Sequence, residues 1–132
     1  MTSAPAYVPP HEYPPVDPRV EALVNEVIGR VADKWTMIVL DVLAENGELR
    51  FTRVGELAGG ISQKMLTQTL RTLERDGLVT RTVTPSVPVR VDYELTELGL
   101  TLLPVLAALK RWSEDHFPQI EAARDQYDRR TA

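Results

Sequence analysis

The chain has 132 residues, of which 43% are hydrophobic and 26% are charged, and it contains no cysteine. This length suits one compact domain with its own core and is short for two. The missing cysteines exclude disulfides, thiolate nucleophiles, thiol-based redox sensing and metal centres held by cysteine. The formal net charge of −4 by itself argues against a polyanionic partner such as DNA.

The N-terminal segment, residues 1–18, holds six of the ten prolines and few aliphatic side chains. We expect it to form an extended, mobile arm ahead of a domain at residues 19–132, because little apolar burial would offset the entropy lost on ordering. Tyr7, Tyr13 and Val16 could lay part of the arm on that domain. The arm lacks the basic start and apolar core of a signal peptide, and no segment is apolar enough to span a membrane. We therefore expect a cytoplasmic protein.

Two amphipathic helices are predicted after the arm. Asp17 can cap the first helix and Pro18 fits its first position, while apolar residues recur every three or four positions as far as Val31. Asp33 can cap the second helix. Gly47 would end it as a left-handed residue.

A short helix and a longer one are predicted next, separated by a glycine turn. After a brief extended segment, ELRF, Thr52 can cap the short helix, which a pair of glycines would end. The longer helix lies within GISQKMLTQTLRTLERDGLV, residues 60–79. Ser62 is a preferred N-cap for it, and Gly77 would stop it.

This longer helix has two different faces. Its apolar face carries Leu66, Leu70 and Leu73. The opposite face is polar, rich in hydrogen-bond donors and free of acidic side chains, and it carries Gln63, Lys64, Thr67, Gln68 and Arg71. Such a face could read the edges of DNA bases, or it could simply keep the helix solvated.

The C-terminal half of the chain predicts a ribbon and then further helices. The segments LVTRTVTP and VRVDYEL are rich in alternating β-branched residues and are joined by PSVP, which is typical of a two-stranded ribbon. In the second strand, alternation places Arg90, Asp92 and Glu94 on one face. Thr96 can cap a long helix that Pro104 should kink, and a shorter helix follows.

The order of these elements predicts a mainly helical α+β fold, a winged helix-turn-helix with flanking helices. In such a fold a helix enters the major groove, and arginines of the ribbon reach phosphates or the minor groove. The charge distribution favours DNA binding, because residues 49–91 carry seven basic and three acidic side chains while the remainder is acidic.

The predicted DNA contacts fall into two groups. The phosphate-binding candidates are Arg50, Arg53, Lys64, Arg75 and Arg81, with Arg90 at the ribbon turn. The base-reading candidates are Gln63, Thr67, Gln68 and Arg71.

Four motifs stand in order along the chain: DKWTMIVLDVL at residues 33–43, LRFTRV at 49–54, GISQKMLTQTLRTLERDGLVTR at 60–81 and PSVPVRVDYELTELG at 85–99. Together they resemble the HxlR-type winged helix-turn-helix regulators, relatives of the MarR group. The resemblance runs from about Val20 to His116. It implies a bacterial homodimer that binds an inverted-repeat operator in double-stranded DNA and usually represses transcription, with a recognition helix at residues 62–76 and a wing at residues 80–90.

The same resemblance implies that the first helix and the C-terminal helices form the dimer. The candidate dimerisation residues are Leu23, Val27, Leu102, Leu106, Leu109 and Trp112, some of which could instead fill the core of one protomer. Many members of the family sense oxidants through a cysteine near the start of the first helix, where this chain has Ala22. A signal would then have to be an unidentified small-molecule effector, a protein partner or protein abundance.

Two other functions stay open. The exposed helix face could dock a protein, which the acidic net charge favours and the lack of large apolar side chains on that face disfavours. A ligand-binding or catalytic domain is disfavoured because His11 and His116 lie far apart in sequence, without a second histidine at metal-binding spacing. We expect no enzyme activity, no metal site and no cofactor.

Overall fold

The computed structural model describes residues 6, 7, 9–12 and 14–131. Contacts divide the chain into two compact units, residues 1–30 and 31–132. Among the described residues, no helix combines the length and the apolar character that crossing a bilayer requires. The predicted boundary between an arm at residues 1–18 and a domain at 19–132 stays a prediction.

The described residues of the first unit form one short and one long helix. A 3-10 helix spans Pro10–Glu12, where the sequence predicted an extended segment. Tyr13 lies outside the described residues, while Tyr7 and Val16 are exposed.

The long helix, α1, spans Pro18–Val31, with all but its last residue in the first unit, and begins as predicted. Asp17 accepts a hydrogen bond from the backbone N–H of Arg19 at 2.8 Å. The guanidinium of Arg19, and then its backbone N–H, lower the pKa of the Asp17 carboxyl. None of the residues of α1 is buried.

The second unit opens with α2, at Lys34–Asn46. Asp33 caps α2 as predicted, because its carboxylate accepts a hydrogen bond from the backbone N–H of Thr36 at 3.2 Å. Gly47 ends the helix with a φ of 72° and a ψ of −147°. Its φ is positive as predicted, but its ψ is extended rather than helical.

A two-residue strand then leads directly into a short helix. The strand β1 is Leu49–Arg50 and the helix α3 is Phe51–Ala58. The predicted cap at Thr52 is wrong, since Arg50 holds the N-cap position without a side-chain hydrogen bond. Arg50 is still paired with Asp92 in the sheet, so the chain turns into α3 as soon as it leaves the strand.

Helix α4 spans Gln63–Arg75, and the ribbon that follows consists of β2, Val79–Thr84, and β3, Arg90–Leu95. The three strands form an antiparallel sheet in the order β1-β3-β2. Arg50 lies opposite Asp92, and Arg81 lies opposite Tyr93. Because direct partners share a face, the first pair and the second pair lie on opposite faces of the sheet.

Two C-terminal helices complete the unit, α5 at Glu97–Asp115 and α6 at Phe117–Thr131. Thr96 caps α5 as predicted, with its hydroxyl accepting a hydrogen bond from the backbone N–H of Gly99 at 3.0 Å. The helix continues through Pro104. The Nζ of Lys110 pairs with the carboxylate of Asp41, which ties α5 to α2.

The core of this unit lies between α2, α3, α4, the ribbon and α5. Its buried apolar residues are Val39, Leu40, Val42, Leu43, Val54, Leu66, Leu70, Leu73, Val79, Tyr93 and Leu106. The leucine stripe of α4 therefore faces the core as predicted. The architecture confirms the predicted mainly helical α+β fold with a winged helix-turn-helix.

Candidate nucleic-acid interface

The turn between α3 and α4 sets the direction of the exposed helix. Gly59 and Gly60 both have positive φ, at 69° and 81°, a region that glycine occupies without steric cost. Ser62 then caps α4, because its Oγ accepts a hydrogen bond from the backbone N–H of Met65 at 3.1 Å. A short helix, a glycine turn and a capped helix make the predicted helix-turn-helix.

The polar face of α4 forms a shallow cleft on the surface, which we call the helix cleft. Thr67 is half-buried and the other four predicted residues of this face are exposed. The helix cleft is lined by Gln63, Lys64, Thr67, Gln68, Arg71 and Thr72. The structure thus brings together all four predicted base-reading residues and adds Thr72, which the sequence analysis did not single out.

A second cleft, the bridging cleft, joins α4 to β2. Thr67 and Arg71 line it from the helix and Arg81 lines it from the strand, together with Tyr93. Glu74 also lines it and places an acidic side chain beside the two arginines. The helix and the ribbon therefore form one polar surface, whose charge is positive with one local acidic exception.

A third cleft, the wing cleft, has a volume of about 710 Å³ and lies along the ribbon. Arg50, Arg81 and Arg90 line it, one from each strand of the sheet. The aromatic rings of Phe51 and Tyr93 also line it, with their centroids 6.4 Å apart. Since Arg81 lines both this cleft and the bridging cleft, three predicted phosphate-binding arginines continue the surface of α4.

Arg90 is held by a carboxylate to which the sequence analysis assigned no role. Its Nε donates a hydrogen bond to Oδ2 of Asp92 at 2.8 Å, and Asp92 is only 5% exposed. The alternation of the strand does indicate this contact in the sequence, because an arginine and an aspartate two positions apart share a face. The burial of Asp92 could not be inferred, since an alternating ribbon does not reveal what covers each face.

The remaining predicted phosphate contacts occupy other positions. Arg53 forms an ion pair with Glu56 at 2.9 Å, and both side chains are exposed. Arg75 is exposed in the last turn of α4. Neither residue lines the helix, bridging or wing cleft.

The predicted dimerisation residues divide by burial. Leu106 is 1% exposed and belongs to the core, whereas Val27 and Leu102 are half-buried. Leu109 and Trp112 on α5 are 45% and 54% exposed, and Leu23 on α1 is also exposed. The indole of Trp112 stacks on the ring of His116 with a centroid distance of 5.0 Å.

Comparison with known proteins agrees with this architecture. The model of the HxlR-like helix-turn-helix family matches residues 30–121. An uncharacterised HTH-type transcriptional regulator of Methanothermobacter thermautotrophicus is 46% identical over 95 residues, which cover 72% of this chain and 69% of that protein.

Solved structures of similar proteins share the fold. The reduced form of the transcriptional regulator YodB from B. subtilis has a TM-score of 0.63 and 34% identity, covering 77% of this chain and 94% of YodB. A MarR-family protein from Enterococcus faecalis V583 has a TM-score of 0.64 and 32% identity, covering 85% of this chain and 98% of its own. The chain belongs to the HxlR-like helix-turn-helix family, whose members are DNA-binding transcriptional regulators and not enzymes.

Proposed function

We propose that the protein acts in the cytoplasm as a sequence-specific repressor, a homodimer that binds an inverted-repeat operator. One observation carries the proposal: the polar face of α4 meets Arg81 of the ribbon in the bridging cleft, and Arg81 also lines the wing cleft with Arg50 and Arg90. The total charge of the chain does not reveal this basic surface, because the net charge is −4. The basic side chains are concentrated where DNA would lie.

Base reading would come from the polar face of α4. The amide groups of Gln63 and Gln68 can each donate to and accept from adenine, and the fork of Arg71 can donate twice to guanine. Thr67 is half-buried between the helix and bridging clefts, where its hydroxyl and methyl groups suit a close contact with a base. These side chains fit the major groove, which is wide enough for one helix.

Phosphate binding would fix the register of the helix in the groove. Lys64 lines the helix cleft, and Arg50, Arg81 and Arg90 line the wing cleft. Each contact with a phosphate releases condensed counterions, so affinity should fall steeply as salt concentration rises. These contacts carry no sequence information themselves and add to the affinity for every duplex.

A second copy of the chain would supply the second half-site. An inverted repeat has two-fold symmetry, which a symmetric dimer matches with one recognition helix in each half. Leu23, Leu109 and Trp112 are large apolar residues exposed on one protomer, and dimerisation would bury them. Leu106 fills the protomer core and Leu102 packs partly against it, so both support α5 from the inside.

The signal that releases the protein from DNA would not act through a thiol of this chain. YodB, a relative, was solved in a reduced form, but this chain has no cysteine to oxidise. A small-molecule effector, a protein partner or a change in protein abundance would have to take that role. Repression, rather than activation, follows from the resemblance of the four sequence motifs to the family.

The experiment that tests the proposal is selection of bound sequences from random duplex DNA. The enriched sequence is then titrated against a scrambled duplex at several salt concentrations, and light scattering gives the mass of the free protein. We expect a palindromic sequence with half-sites about one helical turn apart, and a mass of two protomers. Absence of any enriched sequence, with equal weak binding to both duplexes, would instead favour a protein partner for the polar face of α4.

A further inference from the structure

Asp92 is a buried carboxylate in the central strand of the sheet. Its Oδ2 accepts the hydrogen bond from Arg90, but its Oδ1 is buried and has no hydrogen-bond partner among the described residues. Burying a carboxylate costs free energy, and one unmatched oxygen adds to that cost. A gain in stability therefore does not account for an aspartate at this position.

The geometry of the pair suits a different role. Asp92 contacts Arg90 through Nε, which is the nitrogen nearest the backbone. The two terminal nitrogens of the guanidinium lie beyond this contact, on a side chain that is 44% exposed and lines the wing cleft. The carboxylate thus holds the guanidinium from the protein side and leaves its outer donors for another acceptor.

The sheet register places a second arginine opposite Asp92. Arg50 of β1 lies directly opposite Asp92, so both residues belong to the same face of the sheet. Arg50 also lines the wing cleft with Arg90. Two arginines predicted to bind phosphate therefore lie on the same face of the sheet as this buried acid.

We propose that Asp92 is a positioning residue for DNA binding, which holds the guanidinium of Arg90 toward a phosphate at the wing. The inference rests on the proposed function, since it assumes that the wing cleft faces DNA. An arginine whose rotamer is already fixed loses less conformational freedom on binding than a free one. Asp92 therefore favours DNA binding, although its own charge repels DNA.

The test compares Asp92→Asn with Glu94→Gln in the full-length protein. Both changes remove one negative charge from β3, and Glu94 is exposed on the same face of the strand. The measurement is the slope of log Kd against log salt concentration for the selected duplex. We expect Asp92→Asn to flatten the slope by about one unit per half-site relative to Glu94→Gln, because one phosphate contact is lost.

Arg90→Ala provides the background that separates positioning from structure. In an Arg90→Ala protein, Asp92→Asn should cause no further flattening, since the guanidinium it positions is gone. Thermal unfolding of each variant is measured alongside, because a merely structural role would change stability without this dependence on Arg90. The inference is overturned if Asp92→Asn has the same slope as Glu94→Gln.

Arg90→Lys decides the matter should Asp92→Asn fail to fold. Lysine keeps the positive charge but has one nitrogen, which cannot hold Asp92 and reach a phosphate in the geometry of the arginine fork. We expect its slope to match that of Arg90→Ala, and a wild-type slope would overturn the inference. If the wild-type protein itself shows neither sequence preference nor salt-dependent binding, the proposed function fails, and the inference fails with it.

Discussion

Arg71 of α4 and Arg81 of β2 line the same cleft, although they belong to the helix and to the ribbon respectively. A base contact by Arg71 and a phosphate contact by Arg81 would therefore be made by one continuous surface. Glu74 lines that cleft too, and its carboxylate would lie beside the DNA backbone. The negative charge of Glu74 would weaken binding to every DNA sequence, so that base contacts would account for a larger share of the affinity.

Arg71→Ala should reduce sequence preference. If Arg71 donates twice to a guanine, its removal should cost about 1–3 kcal/mol per half-site and relax the preference at that base pair. The measurement is a titration of the selected operator and of duplexes with a single substituted base pair. Arg75→Ala is the matched control on the same helix, because Arg75 lies outside the helix cleft and should weaken every duplex alike. Unchanged preference in Arg71→Ala would remove this residue from the base-reading set.

Glu56→Gln should strengthen binding to every duplex. Glu56 pairs with Arg53 at 2.9 Å, so its removal leaves the guanidinium free to approach a phosphate. The pair is exposed, and its loss should change the free energy of unfolding by less than about 1 kcal/mol. A steeper salt slope with an unchanged melting temperature is the expected result. Glu45→Gln removes the same charge from an exposed position on α2, and an equal gain there would indicate a general effect of net charge.

Ser62→Ala should weaken the start of α4. The change removes the acceptor for the backbone N–H of Met65 and should cost about 0.5–2 kcal/mol of stability. Ser113→Ala is the control, since the Ser113 hydroxyl donates to the Leu109 carbonyl at an exposed position inside α5 and caps nothing. Ser62→Asp should keep the cap while adding an anion beside the predicted DNA surface. Its melting temperature should stay close to wild type while its affinity for DNA falls.

Local rules predicted the framework of this fold well. Asp33, Ser62 and Thr96 cap their helices as predicted, because a short polar side chain before an apolar repeat is a signal that acts over three residues. The error at Thr52 has a tertiary cause: pairing between β1 and β3 fixes where α3 begins. Asp92 was missed for the same reason, since its burial depends on elements distant in sequence.

The candidate site was predictable only in part. Helical periodicity predicted that the polar residues of α4 share a face, and the helix cleft confirms that they lie together. The other basic residues could be predicted as DNA contacts only because they are positively charged. The ion pairs of the structure then distinguish those that an acidic side chain already engages. Arg53 is engaged by Glu56 and Arg90 by Asp92, neither of which the charge count reveals.

Leu109→Lys should separate dimerisation from folding. Leu109 is 45% exposed on one protomer, so a lysine there should leave the protomer folded while it disfavours burial against a second copy. Light scattering should show a smaller mass, and binding to a full operator should weaken more than binding to a single half-site. Leu106→Ala is the contrast, because this buried residue should cost about 2–5 kcal/mol of stability by leaving a cavity. A folded Leu109→Lys protein that retains the mass of two protomers would place the interface elsewhere.

Gly99→Ala should disrupt the packing of α5 against the segment between α4 and β2. A Cβ at this position would clash with the backbone carbonyl oxygen of Leu78. That oxygen already accepts a hydrogen bond from the backbone N–H of Thr96 at 3.1 Å, and the Thr96 hydroxyl donates to the Gly77 carbonyl at 2.6 Å. The clash therefore falls where these hydrogen bonds hold the start of α5 to the Gly77–Leu78 backbone. Neither segment can move away without breaking the bonds, so the substitution should cost about 1–3 kcal/mol of stability.

Gly29→Ala is the matched control for this change. A Cβ at Gly29 would meet no atom within 4 Å, and alanine in a helix is favoured over glycine by about 0.5–1 kcal/mol. Chemical denaturation should show that Gly99→Ala lowers the free energy of unfolding and that Gly29→Ala raises it. Both variants are measured at the same protein concentration, because the stability of a dimer depends on concentration. A neutral Gly99→Ala would mean that α5 can shift away from Leu78 at little cost. The Thr96 cap and the packing of α5 on Leu78 would then contribute less to the free energy of unfolding than their geometry indicates.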